Sequence, residues 1–190
     1  MCEFYKISKR AGALVILVAL TGLCGATEQG VVFKTVRADL NGDGSQENVV
    51  FICYDPMYGS EYDSFGYDRF VLDIGGHFTI SRGSNLDGNF RIVDIDTSDA
   101  YQEIAIPESG PSSDHRTHFY HFTGDSIVCM GTIPGTHDLE FDGSGIMRTN
   151  QRGNILHTWF YSAKYKLTDE HHLEQLPEML YAMNTPVTLR

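Results

Sequence analysis

Short apolar runs with a period of two, interrupted by a polar loop that recurs three times, restrict this chain to an architecture of stacked β-units. The loops read Asp39-Leu-Asn-Gly-Asp-Gly-Ser-Gln-Glu47, Asp94-Ile-Asp-Thr-Ser-Asp-Ala-Tyr-Gln-Glu103 and Asp138-Leu-Glu-Phe-Asp-Gly-Ser-Gly145, with starts 55 and 44 residues apart. Between them lie runs rich in Val, Ile, Phe and Tyr, bounded by Gly, Asn, Asp and Pro, the pattern of short strands. The clearest run puts Trp159, Tyr161, Ala163, Tyr165 and Leu167 on one face and Phe160, Ser162, Lys164 and Lys166 on the other. No segment after residue 26 keeps a helical period. Gly75-Gly76 and Gly124-Asp125 each sit between apolar runs and predict tight hairpin turns.

The expected fold is therefore all-β, with about three propeller-like four-stranded antiparallel units at about 31–93, 94–141 and 142–190. Strands are predicted over 48–54, 69–74, 77–81 and 90–93 in the first unit, and over 103–107, 118–123, 127–133 and 138–141 in the second. Closed propellers take about four to eight blades. Three units make an incomplete or open propeller-like array.

Residues 1–26 stand apart from this pattern. Lys6, Lys9 and Arg10 precede the apolar run Ala11 to Leu20, and the small residues Cys24-Gly25-Ala26 follow, the layout of a secretory signal peptide. The apolar stretch is shorter than the ~20 residues a membrane-spanning helix needs, so no transmembrane segment is expected in the mature chain. Cleavage after Ala26 would leave a single β-repeat domain, 27–190, in a secreted or periplasmic location. Lipid attachment at Cys24 is the alternative, although Leu23 stands where a lipoprotein signal has a small residue.

The whole chain carries Lys+Arg 14 against Asp+Glu 25. Residues 1–26 hold three of the bases and one acid, so the remainder is still more acidic. Such a charge balance repels nucleic acid and anionic membrane surfaces, and neither is expected as a partner. Cys53 and Cys129 remain in a compartment that permits a disulfide. Each lies inside an apolar run and reads as a separate buried thiol, with a bridge as the other option.

The first loop has the clearest chemistry. Asp39, Asn41 and Asp43 occupy its positions one, three and five, Gly44 allows a sharp reversal, Ser45 offers a carbonyl and Glu47 closes. Alternate oxygen donors and three carboxylates suit a hard divalent cation, and a flexible oxygen shell suits calcium better than magnesium. An EF-hand is excluded because Val50 stands at position twelve. The segment 39–50 resembles the calcium loops of integrin-type propeller repeats in bacterial secreted proteins, the FG-GAP or VCBS-like repeats. The resemblance implies that Asp39, Asn41, Asp43, Ser45 and Glu47 ligate a structural calcium between the last strand of one blade and the first of the next.

The second loop keeps Asp94 and Asp96 and closes one residue late at Glu103, a weaker metal set. The third keeps Asp138, Glu140 and Asp142 but has Ile146 at the closing position. His115, His118 and His121 alternate faces along a strand and cannot converge on one ion. No Gly-x-Ser-x-Gly or His-Glu-x-x-His motif is present, no catalytic residue is assigned, and the reading leans away from an enzyme. The segment 55–68 carries Tyr58, Tyr62, Phe65 and Tyr67 among acids, an arrangement suited to a carbohydrate or protein ligand. The expected function is a calcium-stabilised β-repeat binding or scaffold module. The alternative is a secreted hydrolase or an accessory domain of a carbohydrate-active enzyme.

Overall fold

Strict alternation of apolar side chains gives the first sheet two different faces. It is built from β1 (Val31–Ala38), β2 (Glu47–Tyr58), β3 (Phe65–Ile74) and β4 (His77–Leu86), each antiparallel to the next. Within β2, Val49, Phe51 and Cys53 point into one apolar cluster, and Val50, Ile52 and Tyr54 into another on the opposite face. The computed structural model describes residues 30–58, 65–86, 89–109, 115–134, 139–152 and 159–183. No helix occurs among these residues, and hence none long and apolar enough to cross a membrane.

The second sheet contains β5 (Arg91–Val93), β6 (Glu103–Glu108), β7 (Arg116–Phe122) and β8 (Ile127–Pro134), and the third contains β9 (Leu139–Phe141), β10 (Ile146–Arg152), β11 (Trp159–Leu167) and β12 (Leu173–Met183). A single pairing, Leu86 with Glu108, links the first sheet to the second. The architecture is thus all-β, three antiparallel four-stranded sheets with none closed into a barrel. It matches an open array of propeller-like units.

The second sheet lies between the other two, and its sequence shows why. In β6, Ile104 and Ile106 pack with Phe51, Phe70 and Leu72 of the first sheet, whereas Ala105 turns the other way to Met147, Ala163 and Tyr165 of the third. Tyr120 and Phe122 of β7 follow the first direction and Phe119 the second. A strand buried on both sides reads as a continuous apolar run, as Ile104-Ala105-Ile106-Pro107 does. In the third sheet Ala163, Tyr165 and Leu167 are buried on the predicted face.

Both hairpin turns form as expected. Gly75 and Gly76 both take positive φ, 61° and 98°, between β3 and β4, and Gly124 takes 97° between β7 and β8. Two expectations are corrected. Residues 91–93 pair with β6 rather than with the first sheet, and residues 139–141 with β10 rather than with the second, so each sheet begins with the strand preceding its acidic loop, and the loop joins two strands of one sheet instead of bridging blades. Cys53 and Cys129 are separate thiols, but Cys129 is exposed. Among the described strands, β8 is the last in its sheet and pairs on one side, with β7.

Candidate metal centre

The loop between β1 and β2 is closed by its own acids. Asp39 Oδ2 accepts from Gly44 N (2.9 Å), Asn41 Oδ1 from Asp43 N (3.1 Å), Asp43 Oδ1 from Ser45 N (2.7 Å) and Glu47 Oε2 from Leu40 N (2.8 Å). These are the side-chain-to-backbone bonds that stabilise tight turns. The Ser45 amide and the Asn41 side chain hold Asp43 below its ordinary carboxylate value. Asp39 Oδ1 is buried and has no hydrogen-bond partner. Leaving a carboxylate oxygen dry and unpaired is unfavourable, and a cation would relieve it.

The second loop repeats this construction. Glu103, fully buried, accepts from Ile95 N at 3.1 Å as Glu47 does from Leu40 N, and Asp96 Oδ1 accepts from Ser98 N at 3.0 Å as Asn41 does from Asp43 N. Leu40 and Ile95 are both fully buried. The apolar second position therefore anchors the loop in the core while the closing Glu caps its amide. Burial, and then the carboxylates of Glu103, Asp99 and Asp96, raise Asp94 above its ordinary value.

The turn of the third loop is shorter than that of the first. Residues 139–141 form β9, and the turn begins at Asp142, whose Oδ1 accepts from Ser144 N (2.9 Å). Asp142-Gly143-Ser144 repeats Asp43-Gly44-Ser45, whose Asp43 Oδ1 accepts from Ser45 N, and Glu140 lies within the strand. Asp138 lies outside the described residues.

The three loops lie side by side. Gln102 N donates to Leu40 O (3.0 Å), Gly145 N to Ile95 O and Thr97 N to Gly143 O (both 2.9 Å). Gly42 presses against Ala100 and Gly143 against Thr97, so that a β-carbon at either glycine would overlap its neighbour. The hairpin turns add to the same edge: Gly124 adjoins Asn41, and Gly75 adjoins Glu47. Sequence reasoning recognised the loops but missed their mutual contact, because Gly42 and Ala100 are separated by a whole sheet in the chain.

The donor set fits calcium in kind: hard oxygens from Asp39, Asn41, Asp43, Ser45 and Glu47 on one short loop. Among the described residues, no three His, Cys, Asp or Glu side chains converge in metal-holding geometry. Tyr67, proposed for ligand binding, packs at the rim of the first core, its ring 4.8 Å from that of Phe33. Tyr58 and Phe65 are backbone partners at the end of the β2–β3 ladder, and Tyr62 lies outside the described residues, as do residues 1–26 with Cys24.

The histidines separate onto the two faces as expected. His118 Nε2 donates to Glu108 Oε2 (2.5 Å), and its Nδ1 faces Thr132 Oγ1 (2.9 Å), tying β6, β7 and β8 in one row. His121, 1% exposed, stacks on His171 with ring centroids 3.7 Å apart and planes 10° apart, beside Glu103 and Tyr101. Burial first, and His121 next, push His171 below its ordinary value of 6.5, against the opposing pull of Asp99 and Glu103. A depressed imidazole binds protons less readily folded than unfolded, so its contribution is complete above about pH 6.5 and is lost as pH falls. Thermal midpoints followed between about pH 5 and 8 should fall on acidification, and His171→Gln should flatten that dependence. An unchanged profile in His171→Gln would assign the acid sensitivity to other groups.

Comparison with known proteins finds no match: no family model, no curated protein and no solved structure matches the chain.

Proposed function

We propose that the chain is a secreted or periplasmic β-repeat binding or scaffold module, of the FG-GAP or VCBS-like kind, in which the Asp39–Glu47 loop takes a structural calcium. The observation that carries the metal reading is the buried, unpartnered Asp39 Oδ1 in a loop lined by oxygen donors at alternate positions. The aromatic segment 55–68 and the exposed acidic edge are the surfaces on which this reading places a protein or carbohydrate ligand.

Extracellular calcium sites have dissociation constants of ~0.1–1 mM. With ~0.1 mM affinity and ~1 mM free calcium, linkage stabilises the fold by ~1.4 kcal/mol. For a domain of this size that is about 3–6 °C in melting temperature. Melts with calcium and with chelator should differ by this amount in the wild type and coincide in Asp43→Ala. Identical wild-type melts over millimolar calcium would refute the metal reading.

A further inference from the structure

The geometry points to a hydroxyl, imidazole and carboxylate relay, Thr132, His118 and Glu108, that hydrolyses neutral carboxylic esters through an acyl intermediate on Thr132. It runs across β8, β7 and β6, away from the acidic loops, and is independent of the calcium reading. His118 Nε2 lies 2.5 Å from Glu108 Oε2, and its Nδ1 lies 2.9 Å from Thr132 Oγ1. An ionised carboxylate only accepts, so the ring proton sits on Nε2 and Nδ1 presents its lone pair to the Thr132 hydroxyl. An activated hydroxyl needs this order of partners: the nucleophile, a base within about 2.6–3.2 Å, and a third group that orients the base.

A bulge in β8 is what sets the hydroxyl opposite the imidazole. Cys129 pairs with Tyr120 and Gly131 with Phe119, which leaves Met130 as an extra residue and brings Thr132 into register with His118. In an unbroken ladder Gly131 would stand opposite His118 and offer no side chain. Gly131 takes φ 139° at the bulge, a conformation that residues with a β-carbon rarely adopt. Bulges are enriched beside active sites because they re-aim a side chain. On the other side of the ring, Glu108 is fixed from both flanks, in register with Leu86 of β4 and with Arg116 of β7.

Exposure decreases along the relay. Thr132 is exposed, the His118 side chain is 13% exposed and that of Glu108 6%. Phe70 flanks the imidazole, its ring centroid 6.4 Å away. A substrate can reach the hydroxyl, while the carboxylate that orients the base is kept from water, where its pull on the ring is stronger. The excess of acid in the chain, Asp+Glu 25 against Lys+Arg 14, disfavours anionic substrates and leaves neutral esters.

In the first half of the reaction Thr132 Oγ1 bonds to the acyl carbon as its proton passes to His118 Nδ1. The bond from that carbon to the alcohol oxygen then breaks, and the leaving oxygen takes the proton. In the second half a water oxygen bonds to the acyl carbon and gives its proton to Nδ1. The bond to Thr132 Oγ1 breaks, and the proton returns to that oxygen. One ester and one water yield one acid and one alcohol. Glu108 is a positioning residue: it holds the ring and balances the imidazolium, and the travelling proton stays on Nδ1.

The test uses the full chain with p-nitrophenyl acetate, on a Cys129→Ser background because the exposed thiol would itself be acylated. Nitrophenolate release should exceed that of free imidazole at the same concentration by at least about a hundredfold, and mass spectrometry after an acid quench should place one acetyl group on Thr132. Thr132→Val keeps the shape of an exposed side chain; it should lower the rate at least about a hundredfold with unchanged circular dichroism and melting temperature, and Thr132→Ser should restore it. Glu108→Gln offers Nε2 an amide donor and moves the ring proton to Nδ1, so nitrogen NMR of His118 should report that tautomer together with a loss of at least about tenfold. Wild-type turnover in Thr132→Val, an acetyl group carried by another residue in place of Thr132, or a wild type no faster than imidazole would overturn the proposal and leave the row as a tie between strands. An unmoved tautomer in Glu108→Gln would remove Glu108 from the relay.

Discussion

Phe51→Ala should remove about 3–5 kcal/mol of stability, the usual cost of deleting an aromatic ring from a packed core. Its ring is fully buried in the cluster joining the first and second sheets, with centroids 5.3 Å from Phe70 and 5.9 Å from Phe90. Packing in this cluster holds the two sheets together, because their ladders share one pairing, Leu86 with Glu108. The cavity would open where side chains from two sheets and the Phe90 connection meet, and no single strand can move to refill it. Against a total stability of ~5–15 kcal/mol, the variant should unfold at much lower denaturant. Urea titration gives the value directly; a loss below about 1 kcal/mol would mean that the sheets do not depend on this interface.

That interface bears on how much of the fold is legible in the sequence. Alternation in 159–167 identifies both the strand and its buried face, because one side of that sheet meets solvent. In 103–108 alternation fails, since Ile104, Ala105 and Ile106 are all buried, two toward one neighbour and one toward the other. Nothing local distinguishes such a run from any other buried strand. Position 91–93 misleads for another reason: it follows the first sheet in sequence, yet its amides and carbonyls pair with β6 across the acidic loop.

The candidate site divides in the same way. Oxygen donors at alternate positions in 39–47 are visible in a single loop, since the turn is held by bonds between residues two to seven apart. The third loop's shorter turn is hidden because Leu139–Phe141 folds as a strand despite Glu140. The stacking of His121 on His171, and the seating of one acidic loop on the next, join residues from different sheets. Only the three-dimensional arrangement of those sheets brings them together.

Two glycines in the first loop separate local conformation from that long-range seating. Gly42 and Gly44 both have positive φ, 71° and 83°, so alanine at either position costs about 1–2 kcal/mol in the left-handed region. At Gly44 the added methyl meets no atom within 4 Å, and the conformational cost should be the whole effect. At Gly42 it would lie 2.3 Å from Ala100 Cβ and 2.7 Å from Ala100 O. Backbone is slow to yield there, because Gln102 N, two residues on, is bonded to Leu40 O. Overpacking of this kind adds about 1–3 kcal/mol, bringing Gly42→Ala to a loss of about 2–5 kcal/mol, with the second loop displaced as well as the first. Chemical unfolding of the two variants side by side measures the difference. Equal losses at the two positions would show that the first and second acidic loops do not rest on one another, and the shared acidic edge would then be an assembly of independent turns.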